Sequence, residues 1–92
     1  MKTIMTVCGT GLGSSFVVEM NIRGLLEKWG MSGRYRTTHG AVYEVKEHDA
    51  DYFVIAKDLE DIMQGFPNLI ILNSIIDEDE LREKLYEALG GR

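Results

Sequence analysis

The glycine-rich stretch Cys8-Gly9-Thr10-Gly11-Leu12-Gly13-Ser14-Ser15 is the feature that most constrains the fold of this chain. It follows a short apolar run, Thr3 to Val7, and precedes a segment whose apolar residues recur at spacings of three and four, as in an amphipathic helix. Those apolar residues are Val18, Ile22, Leu25, Leu26 and Trp29. A strand, a glycine loop and a helix form the first half of a βαβ unit, so the sequence predicts an α/β fold.

Three later segments have the composition of strands. Arg34 to Thr38 is polar throughout, which suits an edge strand. Tyr52 to Ala56 and Leu69 to Leu72 are almost wholly apolar, as strands buried on both faces of a parallel sheet are. The sequence therefore predicts four strands.

Two further helices are predicted between and after these strands. Asp58 is expected to cap a short helix that runs through Met63. Asp77 is expected to open the last helix, with Glu80 as its capping-box partner. Residues 41–46 indicate a short helix or a turn. The last helix has the apolar stripe Leu81, Leu85, Ala88 and Leu89.

Strands that alternate with helices predict an open parallel sheet with helices on both faces, a Rossmann-like arrangement. Right-handed crossovers and the polar second strand favour the order 2-1-3-4. A chain of 92 residues accommodates one domain, so we expect a single domain over residues 1–92. The strand order reverses between strands 1 and 3, which places the expected ligand site at the loop that begins with Cys8.

Composition excludes several classes of protein. The single cysteine excludes an intrachain disulfide and a zinc site built from paired cysteines, and no cluster of metal ligands is apparent. A formal charge of −5 argues against nucleic-acid binding, which needs a basic surface. No apolar run approaches the length of a membrane span, and the N-terminus lacks the apolar stretch of a signal peptide. We therefore expect a cytoplasmic protein with no bound metal or cofactor and no direct insertion into the membrane.

The chemistry of the loop centres on Cys8. Glycines at positions 9, 11 and 13 allow backbone N–H groups to form a cup for an anion, and the helix N-terminus adds partial positive charge. The same field lowers the pKa of a cysteine thiol and favours the thiolate. An activated thiolate in a phosphate cup can accept a phosphoryl group covalently. The loop lacks the Gly-Lys-Ser/Thr of a Walker A motif, the spacing of a dinucleotide fingerprint and a Cys-x-x-Cys pair.

The spacing from Cys8 to Ser14-Ser15 resembles the loop of low-molecular-weight tyrosine phosphatases. That family has an arginine where this chain has Ser14, and it uses an aspartate general acid from a separate loop. The arginine clamps the transferring phosphoryl group, so its absence predicts slow hydrolysis of a phosphocysteine. Three alternatives stay open from the residues alone. They are a phosphatase or arsenate-reductase-like enzyme, a non-catalytic anion-binding module, and a buried cysteine with only a structural role.

Residues 4–15, Ile-Met-Thr-Val-Cys-Gly-Thr-Gly-Leu-Gly-Ser-Ser, resemble the phosphocysteine loop of enzyme IIB proteins of the bacterial sugar phosphotransferase system. The likeness is strongest to the ascorbate-type branch, which is related to the galactitol and lactose/cellobiose types. It implies that Cys8 accepts a phosphoryl group from a phosphohistidine of a IIA protein and passes it to a sugar in the membrane-embedded IIC permease. It also implies a phosphate-binding loop made of Gly9, Thr10, Gly11, Leu12, Gly13, Ser14 and Ser15.

Other candidate residues lie near the same sheet edge. Lys57 and Asn73 follow strands 3 and 4 and are expected to be a surface lysine and a loop asparagine. His39 is expected to be an exposed histidine after the edge strand. Phe16 and Val17 are candidates for a partner-docking patch. His48 has no predicted role, and core positions are expected for Trp29, Tyr52, Met20 and Met63.

Overall fold

The computed structural model describes residues 1–9 and 14–90. Within these ranges the chain forms four strands that make one parallel sheet in the order β2-β1-β3-β4, which confirms the predicted α/β topology. The elements in chain order are β1 (Lys2–Cys8), α1 (Ser14–Lys28), β2 (Tyr35–Ala41), β3 (Tyr52–Ala56), a 3-10 helix (Lys57–Leu59), β4 (Leu69–Leu72) and α2 (Glu78–Ala88).

The direction of the crossovers determines which element covers which face of the sheet. The β1-to-β2 crossover runs toward one edge, whereas the two later crossovers run toward the other. Crossovers of one hand that run in opposite directions must pass over opposite faces. Helix α1 covers one face, which we call the helical face, and α2 packs beside α1 on that same face after β4. Residues 42–51 and 57–68 cover the other face, which we call the turn face.

Each face has its own apolar core. On the helical face the buried residues are Ile4, Val18, Ile22, Leu26, Val54, Ile70, Leu72, Leu81 and Leu85. On the turn face they are Val7, Phe53, Ile55, Leu59 and Met63. The sequence predicts helices on both faces. The helical face is covered by α1 and α2, whereas the turn face is covered by one 3-10 helix and turns. None of the described helices is long and apolar enough to cross a membrane.

Strand β2 differs from its predicted bounds. It runs to Ala41, because the seven residues of β1 offer a ladder partner as far as the Cys8–Ala41 pair. Sheet pairing overrides the low strand propensity of Gly40. His39 therefore lies inside the strand, and the turn predicted over residues 41–46 begins after Ala41.

The short helix expected from Asp58 to Met63 is wrong. Only Lys57–Leu59 is helical, with 3-10 geometry, and its N-cap is Ala56, without a side-chain cap bond. The residues that follow form turns, because so short a segment cannot offset the cost of helix nucleation and Gly65 adopts a positive φ of 96°. Burial of Leu59 and Met63 holds the segment against the turn face instead.

Helix α2 begins as predicted, with one difference at its capping box. The Asp77 carboxylate accepts a hydrogen bond of 3.1 Å from the Glu80 N–H. The Glu80 carboxylate does not complete the box, because it accepts bonds from the backbone N–H groups of Asn73 and Ser74. Two further predictions concern core residues. Met63 is buried as expected, but the prediction for Met20 is wrong, since 47% of its surface is exposed.

Candidate functional site

Cys8 is the last residue of β1, one of the two central strands. Side chains alternate between the faces of a sheet, so Cys8 shares the helical face with Thr6 and with the core residue Ile4. Its thiol is half-buried. The connection that leaves β1 and the connection that enters β3 pass over opposite faces of the sheet. In open parallel sheets, ligands bind beyond the carboxyl ends of the two strands between which the connections change face.

A cavity of about 170 Å³ opens beside Cys8. Its walls are the carboxyl ends of β1, β3 and β4, the first turn of α1, and Ile75 beyond β4. Two small residues, Gly9 and Ala56, also line it. Most of the other lining side chains are apolar, and they are Val7, Val18, Val54, Ile55, Leu59, Leu72 and Ile75.

Two buried hydroxyl groups also belong to the lining residues. Thr6 comes from β1 and Ser15 from the first turn of α1, and they are 4% and 1% exposed. Neither hydroxyl oxygen has a hydrogen-bond partner in the part of the chain that the structure describes. An unsatisfied buried hydroxyl costs about 1–3 kcal/mol. Such groups are rare in folded proteins and often mark functional sites.

The described lining of the cavity carries little formal charge. Among the described lining residues, Asp58 is the only charged one, and no lysine, arginine or histidine contributes. The N-terminus of the 15-residue helix α1, whose first turn contains no acidic residue, contributes partial positive charge at the cavity, because Ser15 of that turn is a lining residue. Thr10, Gly11, Leu12 and Gly13 of the predicted phosphate loop, and the side chain of Ser14, lie outside the described residues.

A buried carboxylate lies one turn beyond Ser15 on α1. The Glu19 side chain is 5% exposed and accepts a bond of 3.0 Å from the Arg23 guanidinium. Its other oxygen lies 2.5 Å from Nδ1 of His39 on β2. The ring of Phe16 packs edge-on against His39 with 5.7 Å between centroids. The cluster joins α1 to the edge strand β2 at His39, two positions before the residue that pairs with Cys8.

The structure separates the other candidate residues from the cavity. Lys57 and Asn73 are exposed and do not line it. His39 is exposed as expected, but it lies in β2 and contacts Glu19. Phe16 and Val17 expose about half of their surfaces, 49% and 56%, on the turn of α1 next to the loop.

Sequence reasoning missed two polar residues of the cavity, Thr6 and Asp58. Thr6 was hidden in an apolar run, although the alternation of the strand places it on the same face as Cys8. The sequence pattern predicts a helix cap at Asp58, although this residue comes two positions after the end of β3, the strand that pairs with β1. Both residues could be found from the sequence by their positions relative to the strand ends that surround Cys8. Within the described ranges, no group of three His, Cys, Asp or Glu residues is placed to hold a metal ion.

Comparison with family models matches residues 3–87 to the family described as "PTS system, Lactose/Cellobiose specific IIB subunit". No curated protein matches the chain. The matched range includes the cysteine loop, most of β1 and the three other strands, and all but the last residue of α2. The chain therefore belongs to this family of IIB subunits of the sugar phosphotransferase system, which act as phosphocarriers in sugar uptake together with IIA and IIC components.

Proposed function

We propose that Cys8 is the residue that carries the phosphoryl group. It accepts the group from a phosphohistidine of a IIA protein and passes it to a sugar bound by a IIC permease. The observation that supports this role is the position of Cys8 at the end of a central strand, in a cavity closed on one side by the N-terminus of α1. In this proposal residues 1–92 act as one domain at the cytoplasmic side of the membrane.

The charging step requires little from the protein beyond position and charge. The Cys8 thiolate attacks phosphorus and the P–S bond forms. The P–N bond breaks with its electron pair remaining on the imidazole nitrogen, and the histidine leaves as neutral imidazole because its other ring nitrogen is protonated. A thiolate has no proton to lose, so this step needs no base. The positive end of α1 favours both the thiolate and the phosphoryl oxygens that follow it.

The loop after Cys8 is the proposed phosphate cup. Backbone N–H groups of Gly9, Thr10, Gly11, Leu12 and Gly13 and the residues Ser14 and Ser15 would contact the phosphoryl oxygens. The described part of the cavity contributes no basic side chain, so backbone groups are the expected donors. Because Ser14 replaces the clamping arginine of phosphatases, water attack on the phosphocysteine is expected to be slow.

The identity of the sugar rests on likeness alone. The loop resembles the ascorbate-type branch, whereas the matching family is described as specific for lactose and cellobiose. We propose L-ascorbate or a related sugar or polyol as the final acceptor. Uptake assays that compare ascorbate, galactitol, cellobiose and lactose in cells with and without this chain would distinguish them.

Intact mass measurement tests the proposed carrier role. The protein is incubated with phosphoenolpyruvate, the general phosphocarrier proteins and its IIA partner. We expect a single phosphoryl adduct that is lost in Cys8→Ser and retained in the controls His39→Ala and His48→Ala. An adduct that persists in Cys8→Ser would contradict the assignment.

The same preparation separates the two alternative functions. Rapid hydrolysis of p-nitrophenyl phosphate by the protein alone would indicate a phosphatase. Neither adduct nor hydrolysis would indicate an anion-binding module. The presence of Asp58 at the cavity makes the aryl phosphate assay informative, because phosphatases with this loop spacing use an aspartate as their general acid.

A further inference from the structure

Asp58 is a carboxylate that the fold itself does not use. Within the described part of the chain it makes no hydrogen bond and no ion pair, and it caps no helix. It is exposed, yet it lines the cavity that contains Cys8. At that position its negative charge opposes the arrival of a phosphoryl group, which is also anionic.

The position of Asp58 is fixed by its neighbours on both sides. Ala56 before it ends β3 in extended conformation, and Leu59 after it is buried in the turn-face core. The Glu60 N–H donates to the carbonyl of Lys57 at 3.1 Å, which closes the 3-10 turn between them. The backbone at Asp58 is therefore held in place at the cavity that Asp58 lines.

The two phosphoryl transfers at Cys8 differ in what the nucleophile must release. The thiolate that accepts the group has no proton. The hydroxyl that takes the group from Cys8 must lose its proton as the oxygen bonds to phosphorus. A carboxylate held beside the reacting atoms is the usual acceptor of such a proton, as in protein kinases.

We infer that Asp58 is a catalytic residue for the discharge of Cys8, accepting the proton of the acceptor hydroxyl. The inference rests on the proposed function of Cys8. The hydroxyl oxygen bonds to phosphorus, the P–S bond breaks, and its electron pair remains on sulfur as the thiolate. The hydroxyl proton moves to the Asp58 carboxylate, which then releases it to solvent. Charging of Cys8 does not require Asp58.

The experiment compares nucleophiles that have and lack a proton to lose. Phosphorylated IIA is used to phosphorylate Cys8 in four proteins, and the IIA is then removed. The proteins are wild type, Asp58→Asn, Asp58→Glu and Asp61→Asn. Each is then incubated with glycerol, or with imidazole, whose neutral nitrogen attacks without losing a proton. Loss of the adduct and formation of glycerol phosphate are followed by mass spectrometry. Asp61 is the matched control, because it is an exposed aspartate on the same segment that does not line the cavity.

We expect Asp58→Asn to lower the ratio of glycerol to imidazole discharge by about 100-fold, the effect of losing a general base. Asp58→Glu should recover part of that ratio, and Asp61→Asn should leave it unchanged. Charging of Asp58→Asn should be no slower than that of wild type.

Three results would overturn the inference while leaving the carrier role of Cys8 intact. They are an unchanged ratio in Asp58→Asn, an equal fall in Asp61→Asn, and loss of charging in a folded Asp58→Asn. The last would place Asp58 in the first transfer. Failure of the wild-type protein to form any phosphoryl adduct on Cys8 would instead overturn the proposed function, and this inference with it.

Discussion

At each edge of the sheet a glutamate from one helix is hydrogen-bonded to the edge region, but the two glutamates have different types of partner. At the β2 edge, Glu19 of α1 bonds to two side chains, those of His39 and Arg23. At the β4 edge, Glu80 of α2 bonds to the backbone N–H groups of Asn73 and Ser74, at 2.7 and 3.0 Å. Both carboxylates lie mostly out of solvent, with side chains 5% and 12% exposed.

The difference shows two ways of fixing a helix on an edge strand. The β2 edge depends on the identity of two residues, so single substitutions can remove its donors. The β4 edge depends on backbone geometry, which substitution of Asn73 or Ser74 does not remove. Lys84 supports the second arrangement by donating to both Glu80 and the carbonyl of Ile71. The β2 edge is therefore the more vulnerable of the two.

The largest expected effect comes from removing both donors at the β2 edge. The double variant Arg23→Ala with His39→Ala leaves the buried Glu19 carboxylate without either partner, which should lower the free energy of unfolding by about 3 kcal/mol. Urea denaturation measures it. Adding Glu19→Gln to the double variant should restore part of the loss, because a neutral amide is less costly to bury. A double variant as stable as wild type would show that the β2 edge is not held by this cluster.

A substitution at Thr6 is expected to change the free energy of unfolding in the opposite direction. Thr6 lies in β1, a central strand between the two edge strands. Its hydroxyl is buried and has no hydrogen-bond partner among the described residues, although Thr6 is the register partner of His39. Thr6→Val replaces the hydroxyl with a methyl group of similar size and should raise the free energy of unfolding by about 1 kcal/mol. The control is Thr37→Val on the same face, which loses the hydroxyl that accepts from Arg23 at 3.3 Å and should not stabilise. Thermal denaturation measures both variants. A higher melting temperature for Thr6→Val would show that the buried hydroxyl is unsatisfied, whereas a lower one would show that this hydroxyl has a hydrogen-bond partner.

The smallest effect concerns the β4 edge and appears only in acid. The hydrogen bond from Lys84, followed by those from the Asn73 and Ser74 amides, lowers the pKa of Glu80 from 4.5 to about 2. A carboxylate whose pKa is lower in the folded state stabilises the protein above its unfolded pKa and loses that contribution as the pH falls. The urea midpoint should therefore decline between about pH 5 and pH 2. Glu80→Gln should show less of this decline than the control Glu83→Gln, which changes an exposed glutamate of α2. Identical pH profiles would contradict the role of Glu80.

Local patterns were sufficient to predict much of this architecture. The bounds of β3 and β4 follow from apolar runs with clear ends, and Asp77 is recognisable as an N-cap. The order of the strands follows from crossover handedness and the polar second strand. The place of Cys8 at the strand end follows from the glycines after it. These features depend on neighbours in sequence or on rules of topology.

The remaining features depend on contacts between distant segments. The extension of β2 to Ala41 reflects pairing with Cys8, 33 positions earlier. Glu19 appears as a surface residue of an amphipathic helix until His39 and Arg23 are placed around it. Asp58 has the sequence context of a cap, and only the packing of Leu59 shows that no helix follows. Met20 belongs to the apolar content of α1 but faces away from the sheet.

The central place of β1 also has a consequence for folding kinetics. Strand β1, which carries Cys8, is the first of the four strands to leave the ribosome, yet its two neighbours are β2 and β3. Its ladder with β3 begins at the Ile4–Tyr52 pair, so nearly 50 residues must be synthesised before that side can close. Contacts of such long sequence separation form slowly because the loop between them must be ordered first. During translation Cys8 is therefore synthesised early, but the sheet around it is completed late.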